Sequence, residues 1–277
     1  MRVLHAVLRV DQWLAASPLL LRQGGKADDG KRTHSCASRT VFFPGCSLAA
    51  YSPDYVLTVR DFIRERRGDC EVLMACCAKP LRLMGKKSIF QRRMDRVRRK
   101  LDNMGAETVI TACQNCFKVL REQDGGRRIL SLWPLLLRLG LPDGLAEKYE
   151  GLEVSIQDSC VTRDMPEIAA SVRELLKRLG VTVREMACSS ARAKCCGGIT
   201  TITTGDAKLG REAMRKRAAE SPCSTILSYC ASCRSAMGID GEHRSLHLLD
   251  LIFGDGEPLK GGGLLNRWRA GRLIAKS

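Results

Sequence analysis

The sequence predicts an α/β fold of two duplicated halves, each a three-layer-type unit on a parallel sheet with cysteines at the carboxyl ends of its strands. Three observations carry this expectation. Ten of the fourteen cysteines fall into two sets of the same order: C-x29-CC-x35-C-x2-C from Cys46 to Cys116, and C-x34-CC-x33-C-x2-C from Cys160 to Cys233. A duplicated unit is the simplest source of such a pattern. Short β-rich runs stand before the cysteine groups, and stretches of helical period separate these runs.

The elements follow in order. Residues 40–43 (TVFF) read as a strand leading to Cys46. A helix is expected over 54–67, behind Ser52 and Pro53 and stopped by Gly68. Residues 71–74 (EVLM) precede Cys76 and Cys77, a basic helix covers 87–104, and 108–111 (TVIT) lead to Cys113 and Cys116. The second half repeats the plan. A strand at 153–156 (EVSI) precedes Cys160, and a helix over 167–179 shows an apolar face of Ile168, Val172, Leu175, Leu176 and Leu179. Residues 181–185 (VTVRE) form a strand about ten residues before Cys195 and Cys196. A helix over 206–220 and a strand at 225–227 (TIL) lead to Cys230 and Cys233. Alternating strands and helices imply parallel sheets with right-handed crossovers. Ligands of such sheets collect outside the carboxyl ends of the strands, so five distant thiols of each half are expected at one edge.

The halves are placed at 40–145 and 146–255. Residues 1–39 have no clear period and read as a disordered arm, or as an upstream extension from a misplaced start. Residues 256–277 read as a basic, solvated tail, with a membrane-surface or partner-docking helix as the alternative.

Composition narrows the class. Of 277 residues, 44% are hydrophobic and 27% charged, a globular balance. Arg9, Asp11 and Arg22 interrupt the apolar patches of the first residues, and no uncharged run reaches the roughly 20 residues of a membrane span. A cytoplasmic location is expected, where thiols stay reduced and serve as metal ligands or redox groups. The net charge of +16 suits an acidic partner, an anionic surface or nucleic acid. The run Arg92, Arg93, Arg96, Arg98, Arg99 and Lys100 lacks interleaved aromatics and spreads around a helix, which argues against nucleic acid.

A lone C-x-x-C is weak evidence, but the vicinal pairs are more telling. Neighbouring side chains on extended backbone point to opposite sides, which suits a polynuclear object better than one small ion. Zinc and an ordinary cubane each take four thiolates, whereas each set offers five. Zinc remains an alternative for the first half. Cys36, Cys70, Cys188 and Cys223 lie outside the sets and read as small apolar residues. The histidines His5, His34, His243 and His247 avoid the sets, and a surface or helix-face role is expected for His243 and His247. No catalytic residue is assigned.

VFFPGCSLAAYSPD, CCAKPLRLMG and TACQNC resemble the first motif of the CCG-type, cysteine-rich component of heterodisulfide reductase and its relatives. QDSCVTRDMPEIAASVRELLKRLG, CCGG and SYCASC resemble the second, and the resemblance spans about residues 40–252. It implies a duplicated α/β fold and two [4Fe–4S] clusters of the noncubane kind. Cys46, Cys76, Cys77, Cys113 and Cys116 would hold one; Cys160, Cys195, Cys196, Cys230 and Cys233 would hold the other. Ala78 stands where relatives carry glycine after the first pair, and Gln157 where they often carry histidine. If the first position needs positive φ, alanine there is strained. The expected role is an oxidoreductase component that passes electrons to a disulfide or another acceptor. No G-x-G-x-x-G or ferredoxin-type run is present, so electrons would come from a ferredoxin-like or flavoprotein partner. The alternative is a zinc- or iron-stabilised binding protein without turnover.

Overall fold

Arg39–Phe43 forms strand β1, whose Val41, Phe42 and Phe43 are all buried, and the chain turns from it directly into a cysteine-bearing helix. The computed structural model describes residues 39–259 and 263–275. The expectation for residues 1–39 therefore lies, apart from Arg39, outside the described residues. Two compact units divide the chain: residues 39–111, 115–130 and 263–275 in the first, and 112–114 and 131–259 in the second.

In the first unit β1 is followed by α1 (Gly45–Tyr51), α2 (Pro53–Arg67), β2 (Cys70–Val72), α3 (Lys79–Leu83), α4 (Lys87–Asn103), β3 (Ala106–Thr111), α5 (Gln114–Gln123) and β4 (Arg128–Ser131). Ser52 Oγ accepts from the Tyr55 N–H at 3.1 Å and caps α2, while Arg64, Arg66 and Arg67 occupy its last turn before Gly68 at φ +88°. Both features favour this helix over these residues. Helix α4 buries Phe90, Met94, Val97 and Leu101, a period that leaves most of its arginines to solvent.

In the second unit the order is α6 (Leu132–Leu139), β5 (Glu153–Gln157), α7 (Pro166–Arg178), β6 (Thr182–Val183), α8 (Gly198–Thr204), α9 (Ala207–Ala218), β7 (Thr225–Ser228), α10 (Ala231–Met237), β8 (Arg244–His247) and α11 (Leu248–Ile252). Three-residue helical turns at Cys160–Thr162 and Ser190–Arg192 interrupt its loops. Asp206 caps α9 by accepting from Lys208 and Leu209 N–H. A last helix, α12 (Leu264–Ile274), belongs to the first unit.

The two sheets have the same parallel topology, β2-β1-β3-β4 and β6-β5-β7-β8. Strand order therefore reverses beside β1 in one and beside β5 in the other, and the crevice at such a switch point is where open α/β sheets bind ligands. The duplicated α/β expectation stands. The fourth strands, β4 and β8, were not foreseen: RILS and RSLH are too short and polar to show alternation. The strand expected over 181–185 shrinks to Thr182–Val183, since its remaining residues enter the loop toward Cys195. The expected solvated tail contains α12, with Ala270 and Arg267 buried. Among the described residues no helix is long and apolar enough to cross a membrane.

Candidate metal centres

Each cysteine set hangs on the strand ends of one sheet. In the first unit Cys46 occupies the first turn of α1, directly after Gly45 at φ +77°. Cys76 and Cys77 lie between β2 and α3, and Cys116 lies in α5 beyond β3. The Cys46 and Cys76 sulfurs are 3.8 Å apart, and the Ala78 N–H donates to Cys76 Sγ at 3.4 Å. Cys76 in turn interacts with Cys77, and Cys77 with Cys116, so these four thiols form a row. In the second unit Cys160, Cys195, Cys196, Cys233 and Cys230 form a longer row, and Cys113 joins it beside Cys230. The sequence set Cys46, Cys76, Cys77, Cys113 and Cys116 is thus brought together in four members, while Cys113 has the second row for a neighbour.

Thiols packed this closely cannot all ionise, so they share protons. The bond to Cys76, together with burial, pushes the Cys46 thiol up. The contact with Cys46 lowers Cys76, yet its bond to Cys77 and its burial push it up to about 12. Cys77, accepting from Cys116 and Cys76, is held well below the ordinary thiol range. The same alternation runs along the second row. Cys195 is lowered by bonds from Cys160 and Cys196, Cys196 is pushed up to about 12 by Cys195, and Cys230 is lowered by bonds from Cys113 and Cys233. Metal binding would replace these shared protons, because only thiolates ligate.

Exposure repeats between the rows. Cys46 and Cys76, and correspondingly Cys160 and Cys195, are half-buried, whereas Cys77, Cys116, Cys196, Cys230, Cys233 and Cys113 are buried. Each row is therefore open to solvent at the first cysteine and the first member of the pair.

The residue after each pair adopts a left-handed conformation, Ala78 at φ +53° and Gly197 at φ +84°. The position does require positive φ, and Ala78 is strained there as the sequence suggested. At Gly197 a Cβ would also lie 2.6 Å from the Met214 amide nitrogen of α9.

A polar network absent from the cysteine pattern holds the second row. Asp158 is buried and accepts from Arg173 at 2.8 and 3.2 Å, from the Ser190 N–H at 2.6 Å and from the Tyr229 hydroxyl at 3.2 Å. The Tyr229 oxygen accepts from the Ser159 N–H at 3.0 Å, so residues flanking Cys160 and Cys230 are tied together. Gln157 donates to the Lys194 carbonyl at 3.1 Å and accepts from Arg217 at 2.7 Å. It fastens the residue before Cys195 to the end of β5. The positions matching Asp158 and Tyr229 in the first set are Pro44 and Ala112, so the buttress is not duplicated. That mismatch between otherwise similar motifs is the only sequence signal of it.

His247 departs from expectation. It is buried, its Nδ1 accepts from the Leu249 N–H at 3.2 Å, and the His247 backbone N–H donates to the Asp250 carboxylate at 2.8 Å, forming a capping box for α11. Burial lowers it to about 4. Its ring lies 5.8 Å from that of Trp133. A histidine doing the work of an Asn or Asp cap is invisible to a spacing argument. His243, only partly buried, pairs with Asp240 at 3.0 Å. Cys70 is buried in β2, as a small apolar residue would be, and Cys36 lies outside the described residues.

Soft thiolates in rows fit a polynuclear metal–sulfur group. Among the described residues no three His, Cys, Asp or Glu side chains converge closely enough to chelate a single ion. Gln114 Oε1, next to Cys113, and Ser228 Oγ, two residues before Cys230, are buried without a hydrogen-bond partner. Such atoms are rare in finished interiors and suit a site completed by another group.

The profile of the CCG cysteine-rich domain matches twice, over residues 40–121 and 154–238, spanning both rows and their strands. The chain belongs to the CCG cysteine-rich domain family. Two CCG copies agree with the two sheets and with a role in binding metal or iron–sulfur. No curated protein matches the chain by sequence. Among solved structures, Picrophilus torridus aspartate racemase is 12% identical, with a TM-score of 0.36, covering 84% of this chain and 99% of its own. Glutamate racemase RacE1 of Bacillus anthracis is 10% identical at a TM-score of 0.34, covering 79% of each chain. An aspartate racemase homologue from Pyrococcus horikoshii is 10% identical at 0.31, covering 86% of this chain and 100% of its own. Scores this low support no inference about fold or activity.

Proposed function

We propose that this CCG protein is an iron–sulfur electron-transfer or reductase component related to the cysteine-rich component of heterodisulfide reductase, passing electrons to a disulfide or another redox acceptor. The observation that carries the proposal is the row of closely spaced, proton-sharing thiols at each sheet edge, open at its first and second members. Nine thiols would serve two clusters, Cys46, Cys76, Cys77 and Cys116 for one and Cys160, Cys195, Cys196, Cys230 and Cys233 for the other, while Cys113, which the sequence pattern grouped with the first set, stands beside Cys230. When bound, such clusters supply one-electron chemistry. The chain's own residues do the positioning. Asp158 and Tyr229 hold the backbone flanking Cys160 and Cys230, Gln157 holds the approach to Cys195, and buried Cys77, Cys116, Cys196 and Cys233 keep water from the inner side of each row.

A disulfide approaching the open ends would take up two electrons and two protons and leave as two thiols. The electrons would come from a ferredoxin-like or flavoprotein partner, which the positive charge of the chain suits if that carrier is acidic. A second reading has one observation behind it. The row in the first unit contains four thiols, the number a structural zinc takes, but they would have to draw together to hold one ion, and zinc there with no turnover is the competing account.

The test is a stoichiometric reduction. Protein reduced with dithionite and freed of excess reductant is mixed anaerobically with an aromatic disulfide. The proposal expects bleaching to reverse and two thiols to appear per two electrons lost. Reduced protein that keeps its electrons before the disulfide and before a flavodoxin or ferredoxin alike would overturn it.

A further inference from the structure

The first cysteine of each row has the same arginine contact from a different source. In the second unit Arg163, three residues after Cys160, donates its Nε–H to the Cys160 carbonyl at 2.8 Å. The corresponding residue after Cys46 is Ala49, which is fully buried and has no charge to offer. In its place Arg267 of α12, more than two hundred residues away in sequence, donates its Nε–H to the Cys46 carbonyl at 3.1 Å. The same atom of the same residue type meets the same carbonyl in both units.

Helix α12 is built to deliver this contact. The Gly263 N–H donates to the Ala50 carbonyl at 3.0 Å. Asn266 Nδ2 donates to the carbonyls of Ala50 at 3.1 Å and Tyr51 at 3.4 Å. These are last-turn carbonyls of α1, which lack partners within their own helix. Arg269 pairs with Asp54 at 3.3 Å, at the start of α2. Arg267 itself is 8% exposed, so its charge acts where water screens it poorly. Arg163 is exposed and local, whereas Arg267 is buried and held by a whole helix.

We propose that Arg267 is a positioning and charge-setting residue of the first cysteine site, supplied by the C-terminal helix in place of the arginine that the duplicated motif lacks at Ala49. The inference rests on the iron–sulfur reading given above. A guanidinium held beside Cys46 stabilises the more negative, reduced state of whatever thiolate-bound cluster sits there. The C-terminal helix is thus part of the first site.

The experiment compares redox titrations, followed by paramagnetic resonance, of the full wild-type chain with R267Q, R267K and R163Q, each with its iron content measured. In R267Q one midpoint is expected to fall, reduction becoming about tenfold less favourable, or about 59 mV for one electron, while the other midpoint stays in place and reports on folding. R267K, which keeps the charge, is expected to recover at least half of that shift. R163Q is expected to lower the complementary midpoint, and by less because its charge is screened. An iron-loaded R267Q with both midpoints unmoved, or both moved equally, overturns the inference alone, as does an R267K no better than R267Q. Wild-type protein without iron in either set overturns the proposed function and this inference with it.

Discussion

Gly197→Ala tests whether the duplicated turn after the cysteine pair is held by backbone conformation alone or also by close packing. Gly197 sits at φ +84°, where an L side chain costs roughly 1–2 kcal/mol. A Cβ at this position would stand 2.6 Å from the Met214 nitrogen, 2.8 Å from the Ala213 carbonyl carbon and 3.0 Å from the Met214 Cα. All three are backbone atoms of α9, so no side chain can swing away, and the helix itself must shift. Overpacking of that kind costs about 1–3 kcal/mol. Together the substitution is expected to destabilise the second unit by about 2–5 kcal/mol. Urea unfolding, followed by tryptophan emission from Trp133 at the core of that unit, measures it. Ala78 already occupies the matching position in the first unit at φ +53°, so G197A also asks whether alanine is tolerated there for want of such a neighbour. A loss below about 0.5 kcal/mol, the ordinary scatter of neutral substitutions, would refute the close approach of α9 to this turn.

Two further outcomes follow from the buried network of the second unit. Asp158→Asn removes the charge that Arg173 and the Tyr229 hydroxyl face, and a cost of about 2–4 kcal/mol is expected, in line with breaking a largely buried pair; thermal unfolding near neutral pH checks it, and an unchanged midpoint would deny the network its role. His247→Asn keeps an acceptor for the Leu249 N–H but removes the titrating ring, whose charged neighbours are Cys230, which favours protonation, and Arg234, which opposes it. Because the folded ring titrates at about 4 and the unfolded one at 6.5, the unfolded chain binds the extra proton first. Wild-type stability is therefore complete above pH 6.5 and is lost as the pH falls toward 4. Relative to H247N the wild type should lose about 3 kcal/mol over that interval. Parallel stability curves for the two proteins would refute it.

How much of this was legible in the sequence depended on which interactions have a local signature. The cysteine repeat and the β-rich runs before it predicted the two parallel sheets and the edge at which the thiols gather. Ser52, Pro53 and Gly68 marked α2 correctly because caps are short-range features. The strained residue at Ala78 was legible because a family pattern requiring glycine stood beside an alanine. What stayed hidden depends on tertiary contact. Strands β4 and β8 are too short to alternate, and they are strands because neighbouring strands accept them as edges. Cys113 shares a C-x2-C with Cys116, yet helix α5 begins between them and the two sulfurs keep different neighbours. Asp158, Tyr229 and Arg173 meet only once α7 folds back on β5. Arg267 reaches Cys46 from the far end of the chain, and a basic tail gave no sign of it.

The central claim, that the thiol rows hold iron and sulfide, is tested most directly by the metal and acid-labile sulfide content of the full chain purified without oxygen, with paramagnetic resonance before and after reduction. About four iron and four sulfide for each cysteine set, with a signal that changes on reduction, is the predicted result. Zinc alone, persisting after reconstitution with iron and sulfide, would contradict it and leave a metal-stabilised binding protein.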